Sequence, residues 1–161
     1  MKKLIVLAVV MVVGFASAIA ADYGKYYQNL PVKMVQPLAP EISDYSVNIK
    51  DFGGVGDGLT LNTEAFAKAI KALDNKGGGH LVVPEGVWLT GLISLKDNID
   101  LHLEKNAILM ATPDRTQHFK VKDGVKDKKC SPLINASKRK NVSITGEGTI
   151  DGNGAMWRPV K

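Results

Sequence analysis

Cysteine is almost missing from this chain: Cys130 stands alone, so no internal disulfide can form and the protein is not a small disulfide-stapled scaffold. A lone thiol behaves as a small hydrophobe, and burial is the expectation for it. Also missing is any apolar run of the roughly 20 residues that a membrane-spanning helix needs; the run at 4–13 falls well short. Basic residues do not pile up among aromatic ones, since Asp123 and Asp127 interrupt the lysines of 120–129, and nucleic acid is therefore excluded as a partner. His80, His102 and His118 lack metal-ligand spacing, and no Asp-rich loop follows the order of calcium ligands. No metal or other cofactor is expected.

What is present begins with Met1-Lys2-Lys3, an apolar run and then small residues through Ala21, the three parts of a secretory leader. Residues 1–20 are read as that leader, cut after Ala18 or after Ala20, which makes the protein secreted or periplasmic and free of the membrane once cleaved. Loss of Lys2 and Lys3 lowers the formal charge of +5 by two, a mildly basic balance that leans weakly toward an acidic polymer. Asn135-Ala136-Ser137 and Asn141-Val142-Ser143 match glycosylation acceptors, which matters only in a source that glycosylates exported proteins.

Residues 21–44 are read as an extended lead-in, because Pro31, Pro37 and Pro40 block both a helix and a central strand. The folded domain is placed at 45–161. It opens on the alternating Ser46-Val47-Asn48-Ile49 and runs into Phe52-Gly53-Gly54-Val55-Gly56-Asp57-Gly58, suited to successive tight turns. The strong helix signal covers 63–75, where Ala65, Phe66, Ala69, Ile70 and Leu73 form one apolar stripe and Lys68, Lys71 and Lys76 face away. Asn62 is its candidate N-cap, Glu64 suits the helix dipole, and Gly77-Gly78-Gly79 stops it.

Beyond the glycines the pattern is β, with strands expected at 80–83, 87–89, 92–95, 99–103 and 107–111 between short turn signals. Asn98-Ile99-Asp100-Leu101-His102-Leu103 and Asn141-Val142-Ser143-Ile144-Thr145-Gly146 carry the same apolar positions 43 residues apart. Solenoid repeats of this type run about 20 to 25 residues, so the offset means two coils or one coil with a long excursion. The excursion fits better, because 112–131 is polar and charged without a strand pattern and is expected to project as a loop. In the resulting stack Val82, Ile93, Leu101 and Ile144 are expected to share an interior column, with His102 outside and the helix covering the first coil.

The stretch NVSITGEGTIDGNGAMW at 141–157 punctuates short β-branched runs with glycine. It resembles the G-x-I-D-G-x-G-x-x-W signature of glycoside hydrolase family 28, the polygalacturonases, on Gly148, Ile150, Asp151, Gly152, Gly154 and Trp157. Asp51-Phe52-Gly53, Gly56-Asp57-Gly58, Asn62-Thr63 and the helix stripe resemble the opening of pectin-acting β-helix proteins. Ser131-Pro132-Leu133-Ile134 and Trp157-Arg158-Pro159 look like the bacterial branch. The resemblance covers roughly 45–161.

It implies an all-β fold, a right-handed parallel β-helix with one N-terminal capping helix, and a glycosidase that cuts pectic polysaccharide, an acidic galacturonic acid polymer, by metal-independent inverting hydrolysis. Such enzymes set a carboxylic acid and a carboxylate base about 6.5 to 9.5 Å apart. The family holds its acids in Asn-Thr-Asp and Asp-Asp segments supported by Gly-His-Gly and Arg-Ile-Lys, and none of the four occurs here. Asn62-Thr63-Glu64 and Gly79-His80-Leu81 are superficial likenesses, so no catalytic residue is assigned. The expectation is the N-terminal part of a longer enzyme, inactive alone, with an open last coil that self-associates. Asp57 and Asp151 are expected to accept turn N–H bonds, and Trp88 and Trp157 to pack more than to stack on sugar. Two other readings remain: a non-catalytic β-helix binding or adhesin module, and a polysaccharide lyase or epimerase relative.

Overall fold

The computed structural model describes residues 29–32, 34, 39–122 and 124–157, with the backbone alone described at 120–122 and 125–128. Contacts divide the chain into Met1–Leu38 and Ala39–Lys161. The leader at 1–20, most of the lead-in, and Arg158 and Pro159 lie outside the described residues. Among those that are described, no helix is long and apolar enough to cross a membrane.

The strands of the second unit are β1 (Ser46–Asn48), β2 (Gly79–Val83), β3 (Gly86–Thr90), β4 (Ile93–Ser94), β5 (Ile99–Leu103), β6 (Ala107–Ala111), β7 (Phe119–Lys122), β8 (Val125–Cys130), β9 (Ile134–Asn135), β10 (Ser143–Gly146) and β11 (Thr149–Asp151), with helix α1 at Thr63–Asn75. They assemble into three parallel sheets, β1-β2-β5-β10, β3-β6-β11 and β4-β9, and one antiparallel pair, β7-β8. The chain visits the three parallel sheets in turn and then returns to the first, which is the path of a parallel β-helix. Pairing of His80 with Asp100 makes the first coil 20 residues long. Ser143 pairs directly with Asp100, so the offset of 43 is a single coil carrying an excursion.

Alternation sets which side chains enter the stack. Leu81, Leu101 and Ile144 are in register on the inner face of one sheet, while Trp88, Leu109 and Ile150 are in register on the inner face of another. Ile93, almost fully buried, enters the same core from β4. Val82 does not join the column expected for it: it pairs with His102, and that register turns it outward while Leu81 and Val83 point in. A one-residue shift reverses every face of a strand, and an apolar run such as Leu81-Val82-Val83 does not disclose its register.

Helix α1 lays its stripe of Ala65, Phe66, Ala69, Ile70 and Leu73 into this core. Burying each large apolar side chain there contributes about 1.5 to 3 kcal/mol before entropy is counted. The helix ends in a Schellman turn, with Gly78 N–H donating to Leu73 O at 2.9 Å, Gly77 N–H donating to Asp74 O at 3.1 Å, and Gly77 left-handed at φ 88°. Its start differs from expectation. The Asn62 side chain makes no capping bond. Buried, it accepts from Val55 N and donates to Val55 O, Thr60 O and Leu89 O at 2.8 to 3.2 Å, tying the glycine-rich loop to β3. Bonds to four part-buried backbone groups outweigh the single bond of a side-chain cap.

The excursion at 112–131 is not an irregular loop. It holds a short 3₁₀ turn at Arg115–His118 and then the β7-β8 hairpin, whose register joins Lys122 to Val125 across Asp123-Gly124. An Asp-Gly pair is a two-residue hairpin signal, with Gly124 at φ 77° supplying the left-handed position. Cys130, expected to be buried, is exposed because β8 belongs to this projecting hairpin and not to the coil stack.

Replacing Leu101 by Ala empties the center of the inner column and should cost about 2 to 5 kcal/mol in urea unfolding. Leu59, 83% exposed, should cost within about 0.5 kcal/mol for the same change. Similar costs at the two sites would contradict the stack.

Candidate functional site

The signature residues run from the turn between β10 and β11, through β11, into a 3₁₀ turn at Gly154–Trp157. Gly148 cannot carry a side chain: a Cβ there would stand 2.7 Å from Leu103 Cβ and 2.8 Å from Ala107 O. Its closeness lets Gly148 N–H reach Leu103 O at 3.2 Å, docking the turn on the coil below. Ile150 then points inward over Leu109, and Asp151 outward beside Met110. Asp151 Oδ1 accepts from Asn153 N–H at 2.7 Å, and Asn153 Nδ2 donates to Ala111 O at 3.1 Å. Gly152 and Gly154 have open space around them.

Trp157 folds back against the excursion. Its ring meets His118 edge-on with centroids 4.9 Å apart, the Arg115 guanidinium lies 5.7 Å from the ring center, and Arg115 Nη2 donates to Trp157 O at 3.2 Å. His118 is buried, with Nε2 3.0 Å from Thr112 O. Trp88 is wholly buried and donates its indole N–H to Pro84 O at 2.7 Å, which leaves it no face for a sugar.

A second polar group lies on the outer face of β2, β5 and β10. Asp100 is 1% exposed on this face, roofed by neighbors one coil to either side. Ser143 Oγ donates to its Oδ1 at 2.6 Å, Thr145 Oγ1 donates to its Oδ2 at 2.7 Å, and His80 Nδ1 lies 2.9 Å from the same Oδ2. His102 Nδ1 stands 2.8 Å from Thr145 Oγ1, extending the chain of bonds. Burial opposes ionization of Asp100, but the bonds from Ser143, His80 and Thr145 outweigh it and hold the carboxyl below its ordinary range. Asp57 is also held low, by bonds from the N–H groups of Thr60 and Leu59 and from the Thr60 hydroxyl.

The Asp100 cluster brings Ser, Asp and His together, but in an order that does not activate a nucleophile. The carboxylate sits in the middle and accepts from both, so no imidazole nitrogen is aimed at Ser143. Sequence reasoning missed the cluster although its signal was present: the 43-residue offset superimposes Asp100 on Ser143 and His102 on Thr145. The same offset superimposes Asn98 on Asn141. Both are left-handed, at φ 59° and 55°, and Asn141 Nδ2 donates to Asn98 Oδ1 at 3.0 Å. Asn141 also exchanges two bonds with the Glu41 backbone. The pairing of Arg115 and His118 with Trp157 had no sequence signal, since a hairpin and, for Arg115, 42 residues separate them. Among the described residues no group of three or more His, Cys, Asp or Glu side chains could hold a metal ion.

No protein-family model matches the chain. Individual proteins do. A probable polygalacturonase of Vitis vinifera is 41% identical over 126 residues, 70% of this chain and 26% of that protein. An exo-poly-alpha-D-galacturonosidase of Dickeya chrysanthemi is 36% identical over 70% of this chain and 20% of its own length. The crystal structure of a hyperthermoactive exopolygalacturonase from Thermotoga maritima superimposes with a TM-score of 0.63 at 43% identity, covering 71% of this chain and 26% of that one. Over about 70% of its length the chain is a polygalacturonase-like protein of the pectin lyase fold. It spans about a quarter of the length of these relatives. An alginate lyase and a mannuronan C5-epimerase of Azotobacter vinelandii also match, which keeps the lyase and epimerase chemistries among the relatives of this polygalacturonase-like coil.

The Asp100 cluster predicts a pH dependence. Its folded pKa lies below the unfolded value of about 3.9, so as pH falls the unfolded chain takes up the proton first. The stability it contributes is whole above that value and is lost as pH drops through the folded pKa. Urea midpoints followed from about pH 6 to about pH 2 should fall more steeply for the native chain than for Asp100→Asn. Parallel curves would contradict this role.

Proposed function

We propose that this chain supplies the opening coils of an exported polygalacturonase-type glycosidase that hydrolyzes pectic polysaccharide with inversion, and that the two catalytic carboxyl groups stand on coils outside it. The observation carrying this reading is 41 to 43% identity to polygalacturonases over most of the described domain. The absence of the Asn-Thr-Asp and Asp-Asp segments and the engagement of Asp57, Asp100 and Asp151 in local bonds support the second half of it. Export rests on the leader-like pattern of residues 1–20. The substrate is an acidic polymer, no cofactor takes part, and α1 acts as the cap of the coil stack.

The test is a reducing-end assay on polygalacturonate with the purified chain and, beside it, a longer product that includes coils bearing the acid segments. The longer product should release reducing ends of inverted anomeric configuration, and the chain itself none. Turnover by the chain alone would contradict the placement of the acids. An unsaturated product from the longer form would replace hydrolysis with the lyase reading.

Self-association follows from the open edge. Among the described residues β10 and β11 are paired on one side only, and Ile144 and Ile150 remain 47% and 43% exposed. Light scattering of the purified chain should give a mass that rises with concentration; a constant monomer mass would rule the contact out.

A further inference from the structure

Away from the signature coil, a cavity of about 470 Å³ opens between α1 and residues 92–96, at the third sheet of the stack. Its size falls in the range of small-molecule sites, about 300 to 1,000 Å³. Ile70 and Leu92 contribute apolar surface, while Thr63, Lys71, Ser94 and Lys96 contribute polar groups. Thr63 is held in place from behind, because its Oγ1 accepts from Gly91 N–H at 2.8 Å and its hydroxyl proton is left to donate.

The charge of this lining is unbalanced. Neither Lys71 nor Lys96 has a carboxylate within 4 Å among the described residues, whereas Lys68 on the same helix pairs with Glu64 at 3.9 Å. Asp97, the acid next to Lys96 in sequence, is turned away: it accepts from Lys140 N–H at 2.9 Å and faces Arg139 at 3.9 Å. Asp74 is the one acid in the lining, against two ammonium groups. Two cations, two hydroxyls and an aliphatic surface without an aromatic ring suit a ligand with a fixed negative charge, several hydroxyls and one apolar face. A uronate sugar has that make-up.

We propose that this cavity is an accessory subsite for one uronate unit of an acidic polysaccharide, with Lys71 and Lys96 holding its carboxylate and Thr63 and Ser94 its hydroxyls. The proposal rests on the polysaccharide reading above but not on the location of the catalytic acids. It gives the opening coils a function of their own, holding polymer.

Trigalacturonate titrated into the isotope-labelled chain should shift the amide signals of Thr63, Lys71, Ser94 and Lys96 saturably. The double variant Lys71→Ala/Lys96→Ala should bind about tenfold more weakly or worse, as loss of charge-assisted bonds entails. Lys68→Ala should bind as the native chain does, and the methyl ester of trigalacturonate should bind as weakly as the double variant. An unchanged affinity in a double variant whose spectrum remains that of a folded chain would overturn the subsite, as would equal binding of the ester. Binding of trimannuronate in place of trigalacturonate, with the same lysine dependence, would uphold the subsite and remove the pectic reading.

Discussion

A parallel, in-register ladder places each side chain directly over its counterpart one coil away, so any position that is wrong in one coil is wrong for its neighbors as well. Leu81, Leu101 and Ile144 form such a column inside, and His80, Asp100 and Ser143 form another outside. The inner column supplies burial. The outer one satisfies a buried carboxylate, which must be hydrogen-bonded once it is taken out of water, and Ser143, Thr145 and His80 do this for Asp100. Gly148 meets the same demand from the backbone side, since the turn closes on Leu103 only where no Cβ intervenes.

Corners of the stack obey it too. Asn98 and Asn141 adopt the same left-handed conformation and bond to each other through their side-chain amides, so the bend between the third and first sheets repeats from coil to coil. Insertions are tolerated where they leave this register intact. The hairpin of β7 and β8 adds a long detour between β6 and β9, yet β9 still meets β4 and β10 still meets β5 in parallel. Arg115 and His118, at the root of the detour, provide the surface on which Trp157 rests. The signature tryptophan thus connects the detour to the following coil.

Much of this was legible in the residues. The stripe at 63–75, the turn glycines after it and the 43-residue echo disclosed the helix, its end and the coil spacing. What was not legible was the register of homogeneous apolar runs, as Val82 shows, and any choice that depends on a distant partner. Asn62 looked like a cap because its competing partners, Val55 and Leu89, become neighbors only in the folded chain. Cys130 looked buried because the Asp123-Gly124 hairpin went unrecognized. The site was less legible than the fold: the Asp100 cluster could have been read from the echo, but the cavity beneath α1 is assembled from a helix face and a turn with no common motif.

The polygalacturonase likeness and the absence of the family's acid segments fit one division of labor. The coils seen here bring alignment, a polar outer face and a basic cavity. All of this depends on the in-register parallel path from β2 through β5 to β10. The most direct measurement is the pattern of interstrand nuclear Overhauser contacts in the labelled chain. Contacts joining Leu81 to Leu101 and Leu101 to Ile144 in parallel register are predicted, and antiparallel contacts among these strands, or none between successive coils, would contradict the account.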